Sequence, residues 1–384
     1  MSSKWQFPDS ASAPVISGLP DPFMGPRGKR VKTPAEWTGQ REYLKELVAH
    51  YIFGHMPPAP GDTAGRVINS AEKYDGAALE ETVRITCSGG KVVFDVEALR
   101  PNKPGRFPVF VWLRMPKPDY AAIEREAIKR GFAIVILDRD VVAPDSAGQF
   151  DKGVCGTAYP DYDWRVLAMW AWGQCRVLDY LLETPWADSE KIIATGHSRF
   201  GKAALWAAVC DERFALCAAA GSGCGGTSSF RHLGGRMGKD IGRAERLEDM
   251  ANRNGFWYWL SNHCQGFEGE NIAKIPLDLH FIRALIAPRP LITVDGLDDT
   301  WGNPYGVQVS WVASQPVFEF LGAGDKNAIH FREGGHAYNE ADWRVVFDFC
   351  DAMLSGGAAR GYKTYSADID PAPELFCSWG MPHD

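Results

Sequence analysis

The fold of this chain is decided by one stretch, Lys191-Ile-Ile-Ala-Thr-Gly196-His197-Ser198-Arg199-Phe200-Gly201-Lys202-Ala-Ala-Leu205. Its first residues are typical of a β-strand, its last residues of a helix, and a turn of small residues joins them. Such a turn holds a serine hydroxyl clear of its own backbone, where it can act as a nucleophile. A serine at a turn more often caps a helix, but the surrounding glycines favour the nucleophile. Ser198 is therefore the candidate nucleophile.

Two cations accompany this serine. Arg199 follows it directly, so its backbone N–H is the expected donor to an oxyanion, and its guanidinium can add charge stabilisation. Lys202 lies in the first turn of the predicted helix, where it can point into a pocket and bond a hydroxyl group. A surface salt bridge for the arginine and a solvated side chain for the lysine are the alternatives. Together the two cations favour a site for an oxyanion and an acidic or hydroxyl-rich substrate.

A base and an acid follow the serine in the chain order Ser…acid…His that α/β hydrolases use. His336 stands behind two glycines, just past the last predicted strand, and is the candidate base. Three aspartates compete for the role of the acid. Asp295 abuts a strand end and could instead fix the turn by accepting from backbone amides. Asp299 is favoured because it lies farther into the loop, and Asp298 is the fallback.

Short apolar or β-branched runs predict buried strands that alternate with helices. The strands are expected at residues 81–87, 91–100, 108–113, 132–137, 191–195, 216–221, 290–295 and 328–333. The helices are expected at residues 35–51, 120–130, 164–184, 202–209 and 343–354. An early hairpin followed by β/α alternation predicts an α/β three-layer sandwich. Its central sheet should be mostly parallel, with an antiparallel start and helices on both faces.

The 384 residues are expected to form a single domain, because α/β hydrolases often reach this length. Residues 1–75 are rich in proline and glycine, and we expect them to wrap around the domain as an N-terminal segment. Residues 225–286 interrupt the alternation with arginines, carboxylates and aromatic residues. An insertion there should lie above the carboxyl ends of the strands, where ligands bind. It either covers the substrate or only packs on the surface.

Composition excludes several classes of partner. The chain has 41 Lys and Arg against 48 Asp and Glu, a net charge of −7 without a basic cluster, which argues against nucleic acid. No apolar run is long enough to span a membrane. The N-terminus has no apolar signal core, so we expect a cytoplasmic protein, or a secreted or periplasmic one if a signal was removed. The nine cysteines lack metal-binding spacing, which predicts buried free thiols, a single disulfide being the alternative, and no metal or cofactor.

The segment Ser198-Arg-Phe-Gly-Lys202 resembles the S-R-x-G-K motif of glucuronoyl esterases, carbohydrate esterase family 15. The resemblance extends over most of the chain, through Leu19–Phe23, Gly221–Gly226, Pro276–His280, Leu285–Arg289, Asp299–Trp301, Gly335–His336 and Asp342–Trp343. It implies an α/β-hydrolase that cleaves esters of 4-O-methyl-glucuronic acid, as in lignin–glucuronoxylan linkages. Ser198 would attack the uronoyl carbonyl and Arg199 would stabilise the oxyanion. The residues that it places around the sugar are Lys202, Trp301 and a glutamate of the insertion, Glu245 or Glu248.

The chain departs from the family pattern at two places. Many members have a cysteine before the serine, tied in a disulfide, whereas this chain has His197. Fungal members carry the acid as a glutamate after the strand that follows the nucleophile, where this chain has Gly221 and Ser222. The resemblance therefore implies that the acid comes from the Asp299 loop, as in bacterial members.

The sequence thus favours a monomeric serine esterase that acts on glucuronoxylan or on small uronate esters. One alternative is an esterase or peptidase of the same fold with another acyl specificity. The other is a carbohydrate-binding relative with weak catalysis, which the missing carboxylate at Ser222 and the 14 tryptophans would permit.

Overall fold

The structure is a computed structural model that describes residues 5–114, 120–234, 243–252, 254–355, 363–364 and 377–382. Within these residues the strands form one ten-stranded sheet in the order β1-β2-β3-β5-β4-β6-β7-β8-β9-β10. They are β1 Ala64–Lys73, β2 Ala78–Cys87, β3 Val92–Pro101, β4 Phe107–Leu113, β5 Ala133–Leu137, β6 Ala187–His197, β7 Leu216–Ala220, β8 Leu291–Gly296, β9 Asn327–Arg332 and β10 Lys363–Thr364.

The sheet begins antiparallel and continues parallel. The pairs β1–β2, β2–β3 and β3–β5 are antiparallel. All later pairs, from β5–β4 to β9–β10, are parallel. The predicted mostly parallel sheet with an antiparallel start is therefore confirmed.

Helices cover both faces of this sheet. They are α1 Pro34–Val48, α2 Ala121–Arg130, α3 Arg139–Val142, α4 Val154–Ala158, α5 Val166–Leu182, α6 Arg199–Cys210, α7 Leu247–Ala251, α8 His280–Ile286, α9 Pro304–Phe320 and α10 Glu340–Leu354. Side chains of β4 alternate between the faces, as the two-residue period of a strand requires. Val109 and Val111 join the apolar core beneath α1, α5, α6 and α8. Phe110 and Trp112 join the core beneath α2 and α10, which completes the three layers.

Strand β1 and helix α9 are the longest of the elements that were not predicted from the sequence. Strand β1 lies inside the segment that we expected only to wrap around the domain, and almost all of its residues are exposed. Because neither of its faces is buried, its sequence lacks the alternation that marks a strand. Helix α9 is buried on most of its surface and contains Pro316, so it lacks the polar stripe of an amphipathic helix. The helix predicted at residues 35–51 is α1, followed by a π-helical turn, Ala49–Phe53.

The parallel strands bring the candidate site residues to one edge of the sheet. Ser198 follows β6, Asp299 follows β8 and His336 follows β9. The carboxyl ends of parallel strands meet at the same edge. The predicted insertion follows β7 and therefore starts at this edge.

Candidate active site

A strained turn presents Ser198. This residue has φ 58° and ψ −127°, a conformation that costs a non-glycine residue about 1–3 kcal/mol. A Cβ at Gly196 would lie 2.4 Å from the carbonyl oxygen of Phe200, so only glycine lets the strand and helix approach this closely. The Ser198 N–H donates to the Ala220 carbonyl at 2.8 Å, which anchors the turn on β7. The backbone is thus bent where the sequence placed the candidate nucleophile.

The loops after β8 and β9 bring His336 and Asp299 together. The distance between His336 Nδ1 and Asp299 Oδ2 is 2.6 Å, and the aspartate side chain is only 4% exposed. Its other oxygen, Oδ1, accepts from the Gly302 N–H at 2.9 Å. Burial alone would raise the pKa of Asp299, but its hydrogen bond to His336, the charge of His336 and the Gly302 N–H hold that pKa below its usual range. Asp299 is therefore an ionised partner for the imidazole.

The other two aspartates of this loop have different surroundings. Asp298 Oδ2 accepts from the Gly334 N–H at 2.9 Å, and this bond ties the β8 loop to the loop that carries His336. Asp295 is buried, and its Oδ2 has no hydrogen-bond partner within the described residues. Burial raises the pKa of Asp295 to about 8, and the charge of Asp299 adds to this effect. Of the three candidates, Asp299 is the one that contacts the imidazole.

The Asp295→Asn variant should change how stability depends on pH. The folded protein holds a proton on Asp295 that the unfolded chain releases between pH 3.8 and about 8. Across this window the contribution of Asp295 to the free energy of unfolding therefore falls as pH rises, by about 1.4 kcal/mol per pH unit. Asparagine does not ionise, so the variant should match the parent near pH 4 and exceed it increasingly towards pH 8. Urea unfolding at pH 5 and pH 8 measures the difference. Parallel pH dependences for the two proteins would contradict the expectation.

The imidazole lies beside the serine turn. The rings of His336 and His197, the residue before Ser198, have centroids 4.5 Å apart. A Cβ at Gly221 would lie 3.3 Å from His336 Cε1, so the base sits over the end of β7. No hydrogen bond joins Ser198 Oγ to His336 within the described residues. Such bonds are often long without substrate and tighten when it binds.

His197 is a neighbour of the base that the sequence identified only as a departure from a motif. Burial lowers its pKa to about 3, and the nearby charge of His336 acts in the same direction. His197 is therefore neutral whenever His336 takes up a proton. Its Nε2 is buried and has no hydrogen-bond partner in the part of the chain that the structure describes, and a Cβ at Gly221 would lie 3.2 Å from that atom. The packed rings of His197 and His336 therefore connect the turn that carries Ser198 to the candidate base.

The guanidinium of Arg199 stacks on Trp259, an aromatic residue of the insertion. Its Nη1 donates to Asp145 Oδ2 at 2.7 Å, and its central carbon lies 4.7 Å from the ring centroid of Trp259. The side chain is 33% exposed, so part of it faces the open edge of the sheet. The backbone N–H of Arg199 begins helix α6 and needs no partner within the helix. Sequence reasoning missed Asp145, because nothing near it in the chain relates it to Ser198.

Lys202 and Glu245 form a buried ion pair. Lys202 Nζ donates to Glu245 Oε2 at 2.8 Å and to the Ser222 carbonyl at 2.9 Å. The side chains are 2% and 3% exposed, so the alternative of a solvated lysine is wrong. Burial raises the pKa of Glu245, and the charge of Lys202 opposes this effect. Glu248, the other candidate glutamate, instead accepts from the Gly269 N–H.

Trp301 lies next to this pair and leaves part of its ring accessible. Its carbonyl accepts from the Glu245 N–H at 2.9 Å, which joins the insertion to the β8 loop. Its ring is half-buried, and the guanidinium carbon of Arg243 lies 5.7 Å from its centroid. The structure therefore brings the three predicted sugar-contacting residues, Lys202, Glu245 and Trp301, to the same side of the site.

In the described part of the chain, no group of three or more His, Cys, Asp or Glu side chains is arranged to hold a metal ion. None of the described helices combines the length and apolar character that crossing a membrane requires. All nine cysteines are free thiols, so the single-disulfide alternative is wrong.

The chain is similar to several known proteins. The family described as "Glucuronyl esterase, fungi" matches residues 83–322. A carbohydrate esterase family 15 glucuronoyl esterase from Caldicellulosiruptor kristjansonii superposes with a TM-score of 0.79 at 30% identity, over 97% of this chain and 99% of that one. A 4-O-methyl-glucuronoyl methylesterase from Phanerochaete carnosa is 29% identical over 89% of this chain and 82% of its own length. A carbohydrate esterase from an unknown prokaryotic organism is 24% identical over 91% and 92%.

The segment that matches the family, residues 83–322, includes the β6–α6 turn, the insertion and the β8 loop, and His336 lies beyond it. The likeness to the Caldicellulosiruptor enzyme extends over almost the whole of both chains. The chain therefore belongs to the glucuronoyl esterase family, carbohydrate esterase family 15, and is an α/β-hydrolase that cleaves carboxylic esters.

Proposed function

We propose that this esterase hydrolyses esters of 4-O-methyl-glucuronic acid, either in glucuronoxylan linked to lignin or in small uronate esters. The observation that carries the proposal is the 2.6 Å contact of His336 with Asp299 beside the strained Ser198 turn, in a chain of this family. The Phanerochaete carnosa relative is named for the methyl ester of the same acid.

In the first half of the reaction Ser198 Oγ attacks the uronoyl carbonyl carbon while His336 Nε2 takes the hydroxyl proton. Asp299 accepts from His336 Nδ1–H, which fixes the tautomer and stabilises the imidazolium. The carbonyl oxygen becomes an oxyanion and accepts from the Arg199 N–H at the start of α6. The Arg199 guanidinium adds positive charge beside the same oxygen.

Acylation is completed when His336 returns its proton to the alcohol oxygen as the ester C–O bond breaks. The alcohol leaves, and the uronoyl group remains esterified to Ser198. A water molecule then attacks this acyl-enzyme with His336 as its base. Collapse of the second tetrahedral intermediate releases the uronic acid and restores the Ser198 hydroxyl.

The sugar ring would bind beside Trp301 and above the Lys202–Glu245 pair. Two protons of the lysine ammonium are used by the protein, so one remains for a sugar hydroxyl. The half-buried Trp301 ring offers an apolar wall to the ring of the uronate. This arrangement suits a substrate with several hydroxyl groups next to the reacting carbonyl.

The Ser198→Ala variant should lose hydrolysis of benzyl or methyl glucuronate by about 10⁴-fold or more, because the acyl acceptor is gone. Release of the alcohol, measured with purified parent and variant, gives the ratio. Circular dichroism should be unchanged, since alanine also fits beside Gly196 and Gly201. Activity that survives the substitution would contradict the proposed mechanism.

The acyl specificity needs a separate measurement. Glucuronate, acetyl and aryl esters of the same alcohol should be compared by kcat/KM with the parent protein, and glucuronate esters should rank first. A preference for acetyl or aryl esters would instead support an esterase of other specificity. Binding of glucuronate without turnover at any tested pH would support a carbohydrate-binding role.

A further inference from the structure

Asp145 is a carboxylate whose acceptor sites are fully used. Its Oδ2 accepts from Arg199 Nη1 at 2.7 Å and from Arg139 Nη1 at 3.1 Å. Its Oδ1 accepts from the Tyr258 hydroxyl and from Trp259 Nε1, both at 3.0 Å. A carboxylate offers about four lone-pair sites, and here four donors occupy them. The side chain is only 7% exposed, so these bonds replace its contact with water.

The four donors come from three different parts of the fold. Arg139 belongs to α3, Arg199 follows the nucleophile, and Tyr258 and Trp259 belong to the insertion. Asp145 itself lies in the segment that follows α3. The carboxylate therefore fixes the insertion and the start of α6 relative to each other, and both border the candidate active site.

The contact with Asp145 orients Arg199 through only one of its three guanidinium nitrogens. Asp145 engages Nη1 of the guanidinium, which leaves the donors on Nε and Nη2 for other partners. Stacking on Trp259, at 4.7 Å, fixes the plane of the group. Arg139 shares Asp145 with Arg199 and also pairs with Asp140, whose Oδ1 lies 3.3 Å from Arg139 Nε. An exposed arginine without these contacts would sample many rotamers, and a donor placed beforehand stabilises an oxyanion better than a mobile one.

We propose that Asp145 is a positioning residue for the reaction: it holds the Arg199 guanidinium where charge develops on the carbonyl oxygen of the substrate. This inference rests on the proposed function, because it takes Arg199 as a donor to the oxyanion. Asp145 itself does not touch the substrate.

A double-mutant cycle tests this role. Asp145→Asn should lower kcat for benzyl glucuronate by about 10- to 100-fold, a part of the 10²–10³-fold that loss of an oxyanion donor costs. KM should change less than threefold. In the Arg199→Ala background the same substitution should lower kcat less than twofold, because no guanidinium remains to be held. Equal losses in both backgrounds would overturn the proposal.

Asp151→Asn is the matched control, since it removes the same charge from a nearby residue. Asp151 is 52% exposed and pairs only with Lys152 among the described ion pairs. It should leave kcat unchanged, and a loss equal to that of Asp145→Asn would also overturn the proposal. The unfolding midpoint of each variant shows whether it folds.

A second measurement does not depend on the folding of the Asp145 variant. Guanidinium ion at millimolar concentration should restore part of the kcat of Arg199→Ala, because Asp145 and Trp259 still form a binding site for it. The restored kcat should reach a plateau as the guanidinium concentration rises. Absence of rescue would overturn the proposal. Failure of the proposed function is distinguishable, because Ser198→Ala would then remain active.

Discussion

Replacing Asp299 with asparagine is expected to lower kcat for glucuronate esters by on the order of 10³–10⁴-fold. Asparagine keeps the shape of the side chain and an oxygen for the Gly302 N–H. Its amide cannot stabilise the imidazolium of His336, and its NH₂ group favours the wrong tautomer. The parent and variant should be compared by kcat on benzyl glucuronate. Because the pKa of Asp299 is held below its usual range, the loss should persist across the neutral pH range.

Asp298→Asn and Asp295→Asn are the controls for this prediction. Asp298 lies in the same loop and Asp295 at the end of β8, but neither contacts His336 in the described structure. Each variant should keep kcat within about tenfold of the parent, because the contact between Asp299 and His336 is left in place. If Asp299→Asn retained most of its activity while Asp295→Asn lost it, the assignment of the acid would be wrong.

Removing Glu245 should cost stability as well as activity. Glu245→Ala leaves the Lys202 ammonium buried, with the Ser222 carbonyl as its remaining partner. An uncompensated buried charge of this kind costs about 3–5 kcal/mol of the free energy of unfolding. Urea unfolding of the parent and variant measures it. A loss below about 1 kcal/mol would show that water reaches the ion pair.

The double variant Lys202→Met/Glu245→Gln separates stability from recognition. It removes both charges together, so most of the stability should return. If the pair also binds the sugar, as we propose, KM for glucuronate esters should stay high in the double variant. Recovery of both stability and KM would mean that the pair is only structural.

The candidate serine and the candidate base could be proposed from the sequence, because each stands in a local pattern. Ser198 lies between a strand and a helix with glycines around it, and His336 follows two glycines after the last predicted strand. The acid was ambiguous, because three aspartates lie within five residues. The structure separates them through the pairing of β8 with β9, which sets Asp298 against Gly334 and brings Asp299 to the imidazole.

Residues whose roles depend on distant contacts could not be predicted. Asp145 and Arg199 are 54 positions apart, and Asp145 and Tyr258 are 113 apart. No periodicity or spacing relates residues that meet only after the insertion folds over the sheet edge. The same holds for β1, where an exposed strand gives no burial pattern to detect.

The glycine at the end of β7 restricts how this active site could have evolved. Gly221 has φ +50°, and a Cβ there would press on both His197 Nε2 and His336 Cε1. A side chain at this position would therefore need these rings to shift by a few tenths of an ångström, in a backbone conformation that favours glycine. A smaller residue at position 197 would relieve one of the two contacts. The histidine before the serine thus makes the end of β7 a crowded place for a carboxylate, whereas the β8 loop leaves room for Asp299.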